Sequence, residues 1–152
     1  VGRLGDALSD TPSEADHGAV EHHGLRVLEA EDNRVNQIVL ETLLAQVGIT
    51  PVIKADGAQA VQTWAEGDWD LILMDVHMPV LDGVGAVREI RAREAASGRR
   101  RTPVIALTAN AMTHQVDELL ACGMDLHVAK PIDAATLFRA IETALEMAEA
   151  RA

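Results

Sequence analysis

The sequence predicts an α/β fold in which a doubly wound parallel sheet of five strands carries helices on both faces. Three observations support this. Strand-like and helix-like segments alternate from Leu25 onward; the strand segments, such as Leu71 to Met74, are continuously apolar, as strands buried on both sides should be; and 152 residues, 48% of them hydrophobic, suffice for one sizeable core.

Residues 1–24 mix Gly, Ser, Asp, Glu and His with few large apolar side chains, a composition that cannot offset the entropy of ordering, so a flexible linker is expected there and a single domain over 25–149. The domain opens with the strand Leu25-Arg26-Val27-Leu28. A helix follows over Asn33 to Val47, marked by Val35, Val39, Leu43 and Val47 at four-residue spacing with Ile38 beside them, and Gly48 is placed to end it. A weak strand, Pro51 to Lys54, precedes a helix over Ala58 to Ala65 and the strand Asp70 to Asp75. Asp82 is suited to cap a third helix through Val84 to Arg93. After Ser97 to Arg101 comes the strand Pro103 to Thr108, then a helix from Met112 to Ala121 ending at Gly123, packed through Met112, Val116, Leu119 and Leu120. Leu126 to Ala129 makes a short fifth strand, and Asp133 caps a last helix reaching Met147. Trp64 and Trp69 flank the second helix and the turn after it.

In parallel sheets of this kind, sites form beyond the carboxyl ends of the strands. Those ends carry Glu31 and Asp32 after the first strand, Asp75 after the third, Thr108 after the fourth and Lys130 after the fifth. Three carboxylates without thiol or imidazole make a hard, oxygen-rich donor set suited to Mg²⁺. A carboxylate can also attack phosphorus and become an aspartyl phosphate, and such a transfer needs mainly alignment and neutralisation of the equatorial oxygens. Lys130 offers a compact charge with three donors for that purpose, and Thr108 a hydroxyl.

Four motifs, in order, now give the chain a family likeness. Glu31-Asp32-Asn33 with Val35-Asn36-Gln37, Leu73 to Pro79 with Asp82-Gly83, Ala106 to Ala109, and Lys130-Pro131 together resemble the receiver domain of two-component response regulators, over residues 25 to about 147. The resemblance implies a flavodoxin-like (βα)5 sheet with strand order 2-1-3-4-5. It implies that Asp75 is the phosphorylated residue, that Asp32 binds Mg²⁺ directly and Glu31 largely through water, and that the backbone carbonyl of His77 completes the protein ligands. Lys130 would contact the phosphoryl group, with a cis bond to Pro131. Thr108 and His127 would form the switch, read out on the fourth helix, fifth strand and fifth helix. Such a domain catalyses phosphorylation and dephosphorylation of its own aspartate.

Two positions depart from the family pattern. Glu29 stands in the first strand where an apolar residue is usual, and a buried carboxylate there is costly unless paired. His127 replaces the usual aromatic switch residue.

The variant Glu31-Asp32-Asn33-x-x-Asn36, the polar linker and the lack of an output domain after the fifth helix resemble receivers of hybrid histidine kinases. The implied partners are a histidine kinase domain, in cis or in trans, and a histidine phosphotransfer protein, with weak self-association as a further contact. A free regulator working by protein contact, or an intramolecular docking module controlling kinase activity, are the alternatives. A net charge of −11 argues against a nucleic-acid-binding face, and no apolar run is long enough to span a bilayer, so a cytoplasmic segment without membrane contact is expected. Cys122 stands alone and cannot close an internal disulfide. His17, His22 and His23 read as solvated linker rather than a metal tract, and Arg99-Arg100-Arg101 as an exposed loop.

Overall fold

The computed structural model describes residues 24–109 and 113–151. The linker expected over 1–24, with its three histidines, lies outside the described residues except for Gly24, and so does Met112. In chain order the elements are β1 (Val27–Ala30), α1 (Arg34–Ala45), β2 (Val52–Lys54), α2 (Gly57–Ala65), β3 (Leu71–Asp75), α3 (Gly83–Ser97), β4 (Val104–Thr108), α4 (Thr113–Cys122), β5 (Leu126–Ala129) and α5 (Ala134–Arg151). All strands pair in parallel in the order β2-β1-β3-β4-β5, the flavodoxin-like 2-1-3-4-5 arrangement.

Because side chains alternate across a strand, each central strand feeds two cores. Leu28, Ile72, Met74, Val104 and Ala106 pack with Ala60, Val61 and Trp64 of α2, Val87 and Ile90 of α3, and Leu119 of α4. Val27, Leu71, Leu73, Ile105, Leu107 and Val128 pack instead with Leu40 and Leu44 of α1 and Leu137 and Ile141 of α5. Both faces are thus covered, which explains the unbroken apolar runs of β3 and β4.

Helix starts follow their caps. Asn33 accepts from the N–H groups of Val35 and Asn36, Asp56 from Gln59, Asp82 from Gly85 at 2.8 Å, and Asp133 from Thr136 at 2.9 Å. The ends of α3 and α5 lie further on than the sequence suggested. Gly98, at φ +69°, is the residue that stops α3, and α5 continues past Met147 to Arg151.

Two expectations need correction. Of the expected stripe, Val35, Ile38 and Val39 do not face the core, being 68%, 48% and 37% exposed, whereas Leu43 packs against it and Val47 is buried; α1 itself buries Gln37, Leu40 and Leu44. In α4, Leu119 is buried while Leu120 is half exposed.

The arginine run is also more than a solvated loop. Arg99 lies over the Trp64 ring at 4.0 Å and donates to the carbonyls of Trp64, at 2.8 Å, and Gly67, at and just beyond the end of α2. Arg101 donates to Asp125 Oδ1 at 2.9 Å. Arg91 reaches Glu94 at 2.9 Å, the Thr102 carbonyl at 2.7 Å, the Gly123 carbonyl at 2.9 Å and Asp125 Oδ2 at 3.0 Å, while the Val104 N–H donates to Asp125 Oδ2 at 2.9 Å. This network ties α3 to the turn after α4, at the end of the sheet remote from Asp75.

Candidate functional site

Register brings the acidic residues together. Ala30 of β1 pairs with Met74 of β3, so the next residues along each strand, Glu31 and Asp75, meet at the carboxyl edge of the sheet. Glu31 extends the ladder by donating its N–H to the Lys54 carbonyl at 3.0 Å. Oxygens of Glu31, Asp32 and Asp75 lie within 4.8 Å of one another; Glu31 and Asp75 are buried and Asp32 is exposed.

From the far side, Thr108 ends β4 one residue beyond Leu107, the partner of Asp75, and its carbonyl accepts the Lys130 N–H at 2.8 Å. The Lys130 side chain crosses to Glu31 Oε1 at 3.0 Å and Asp75 Oδ1 at 3.1 Å. The Lys130-Pro131 bond is cis. His77 is exposed and donates its N–H to Asp75 Oδ1 at 3.3 Å. His127 lies on β5 opposite Ala106 and is exposed.

Close approach of α3 fixes the third side of the site. The Gly83 N–H donates to the Val76 carbonyl at 2.9 Å, and a Cβ at Gly83 would fall 2.2 Å from the Asp75 carbonyl oxygen. Only glycine allows that contact.

Burial raises the Asp75 carboxyl, the Glu31 charge adds to this, and Lys130 only partly offsets it, so Asp75 titrates at about 6. For Lys130, burial favours the neutral amine, but hydrogen bonding and attraction from Glu31 and Asp75 prevail, holding the ammonium above its ordinary value. Three carboxylates facing one ammonium leave excess negative charge at the mouth. This donor set fits a hard divalent cation, with Glu31, Asp32 and Asp75 as the residues able to hold it.

The sequence-predicted residues Glu31, Asp32, Asp75 and Lys130 therefore converge, Thr108 and His77 border them, and His127 stands apart on the edge strand. One contributor had no role from sequence alone: Gln37, whose carboxamide donates to the Glu31 carbonyl at 2.6 Å. The signal was a polar residue on the same helical stripe as Leu40 and Leu44.

Among the described residues, no helix is long and apolar enough to cross a membrane. The family model of the response regulator receiver domain matches residues 27–142. Hybrid signal transduction histidine kinase I of Dictyostelium discoideum is 41% identical over 123 residues, covering 78% of this chain and 7% of that protein. The chain thus spans a small part of that relative's length. Among solved structures, the receiver domain of sensor histidine kinase PA1611 from Pseudomonas aeruginosa, with a magnesium ion coordinated in its active site cleft, is 45% identical with a TM-score of 0.73, covering 81% of this chain and 98% of that one. The receiver domain of Ssk1 from Saccharomyces cerevisiae, crystallised with the histidine phosphotransfer protein Ypd1, is 32% identical with a TM-score of 0.75, covering 81% and 90%. Fold, motif order and these likenesses agree: the chain belongs to the response regulator receiver domain family.

Proposed function

We propose that the domain, over 25–149, takes a phosphoryl group from a phosphohistidine onto Asp75, with Mg²⁺ held by Asp32, Asp75, Glu31 and the His77 carbonyl. The observation that carries this reading is the Lys130 ammonium, 3.1 Å from Asp75 and 3.0 Å from Glu31, set against three clustered carboxylates. The magnesium ion in the active site cleft of the 45% identical Pseudomonas receiver supports the metal assignment.

An Asp75 oxygen attacks phosphorus; the new O–P bond forms as the N–P bond breaks, and the electron pair returns to the donor imidazole nitrogen, which takes a proton from solvent. With its carboxyl titrating at about 6, Asp75 is mostly ionised and nucleophilic at neutral pH. Lys130 is pre-positioned to follow the charge from carboxylate to phosphoryl oxygen, and the Thr108 hydroxyl gives a further donor at the same edge. Bound Mg²⁺ would supply the remaining neutralisation of carboxylate and phosphoryl charge. Thr108 and His127 would carry the change of state to the surface of α4, β5 and α5. Water later hydrolyses the acyl phosphate and resets the domain.

Likeness to a hybrid kinase, of which this chain matches only one segment, supports a place within a hybrid histidine kinase; the location proposed for this segment is the cytoplasm. Its donor would be a histidine kinase domain and its onward partner a histidine phosphotransfer protein, as the Ssk1 pairing with Ypd1 suggests. The test is transfer from a radiolabelled, phosphorylated histidine phosphotransfer protein. Label should move to the parent chain and not to Asp75→Asn; label on Asp75→Asn would remove Asp75 from the role.

A further inference from the structure

The peptide between Glu31 and Asp32 sets the direction of both side chains, so whatever fixes that peptide fixes the acidic pair. Its carbonyl, on Glu31, accepts one side-chain hydrogen bond, from Gln37 Nε2 at 2.6 Å, and Gln37 is only 9% exposed. The other end of the carboxamide is held as well: Arg34 Nη1 donates to Gln37 Oε1 at 3.1 Å. With its oxygen so occupied, the carboxamide is kept in the orientation that turns its N–H toward Glu31. The Gln37 backbone N–H closes the first turn of α1 on the Asn33 carbonyl at 3.0 Å, and the Asn33 N–H returns to Glu31 Oε2 at 3.1 Å. Residues 31 to 37 thus form a closed loop of hydrogen bonds, with Glu31 anchored in turn to Lys54 of β2.

A polar residue on a helix face otherwise given to Leu40 and Leu44 costs stability unless it is hydrogen-bonded. Gln37 uses its donor on the strand-end peptide, through the Glu31 backbone carbonyl.

We propose that Gln37 is a positioning residue: by clamping the Glu31 carbonyl it holds Glu31 and Asp32 in the orientation that faces Asp75, and so raises the affinity of the site for Mg²⁺. The inference rests on the reading of that trio as the metal site. Groups that orient metal ligands from behind typically change affinity by about 10- to 100-fold when removed, and Gln37 belongs in that range if the clamp holds the ligands.

The test uses the full chain in two variants. Gln37→Met keeps the unbranched shape and removes the donor; Gln37→Arg retains an N–H within reach of the carbonyl. Amide hydrogen exchange of Asn33, whose N–H is held by Glu31 Oε2, measured without metal, should speed up in Gln37→Met relative to the amides of Leu40 and Leu44, and return toward the parent rate in Gln37→Arg. Mg²⁺ titration should show affinity about tenfold weaker in Gln37→Met, with phosphorylation by acetyl phosphate returning to near the parent rate once Mg²⁺ is saturating. Unchanged exchange at Asn33, or exchange raised equally throughout α1, overturns the clamp. Unchanged Mg²⁺ affinity in Gln37→Met overturns its role at the site. A parent chain that binds no Mg²⁺ overturns the metal reading instead, and the metal-free exchange data still decide whether the clamp exists.

Discussion

Replacing Glu29 with leucine is expected to stabilise the domain, by an amount that depends on pH. Glu29 sits in the middle of β1, paired with Ile53 on one side and Leu73 on the other. By alternation its side chain enters the same core as Val27, among Leu40, Leu44 and Leu73. It is fully buried, and among the described residues neither carboxyl oxygen has a hydrogen-bond partner. Burial above all, then the charges of Glu41 and Glu31, push its carboxyl from 4.5 up to about 8. The unfolded chain ionises this group above pH 4.5, whereas the folded chain keeps the proton until about pH 8, so folding takes up a proton across that window. Stability is therefore full below 4.5 and is lost as pH rises toward 8. At about 1.4 kcal/mol per tenfold change in proton affinity, the cost at pH 7 is about 3 kcal/mol, against less than about 1 kcal/mol at pH 5. Leucine has similar bulk and no charge, so Glu29→Leu should gain about 3 kcal/mol at pH 7 and show a flatter stability profile. Urea unfolding of both proteins at intervals from pH 5 to 8.5 measures this. A difference between them that stays constant across the range, or a less stable variant at pH 7, refutes the reasoning.

Three further outcomes follow from the same structure. Lys130→Met removes the ammonium that bonds Asp75, so the Asp75 carboxyl should titrate above its present value of about 6, as followed by its side-chain carbon chemical shift against pH. Asp125→Ala leaves the guanidinium groups of Arg91 and Arg101 without their shared carboxylate and should cost about 3 to 5 kcal/mol in denaturant unfolding. Although burial opposes ionisation of Asp125, the Val104 N–H and the two arginines hold its carboxyl below the ordinary 3.8, so its contribution is present above that value and is lost as pH falls below it. Val80 is a β-branched residue at φ +69° and is 84% exposed, so Val80→Gly should relieve about 1 to 3 kcal/mol of backbone strain, partly offset by the greater entropy of an unfolded glycine, and raise the melting temperature.

How much of this was legible before the structure differs from residue to residue. Strand runs such as Leu71 to Met74 are readable because burial on both faces leaves no polar alternation, and the caps Asp82 and Asp133 because a short acceptor before an apolar period has one common use. Strand order came through the family likeness, since periodicity carries no information on which strands are neighbours. The misread first half of the α1 stripe has a physical reason. Val35, Ile38 and Val39 form one apolar stripe and Leu40 with Leu44 another, and only the packed sheet decides which is covered. Arg99 and Arg101 looked like solvated charge because their acceptors, the Trp64 carbonyl and Asp125, lie 35 and 24 residues away in the chain. At the site, residue identities announced the chemistry, whereas the support from Gln37 depended on where a helix side chain meets a strand end.

The phosphoryl acceptor proposed for this domain is Asp75, at a site made by Glu31, Asp32 and Lys130. Incubation with acetyl phosphate, with and without Mg²⁺, followed by intact mass measurement of the parent and of Asp75→Asn, tests it most directly. The parent should gain one phosphoryl group, only with Mg²⁺, and Asp75→Asn none. The same gain on Asp75→Asn, or a gain on the parent that persists in EDTA, would contradict it.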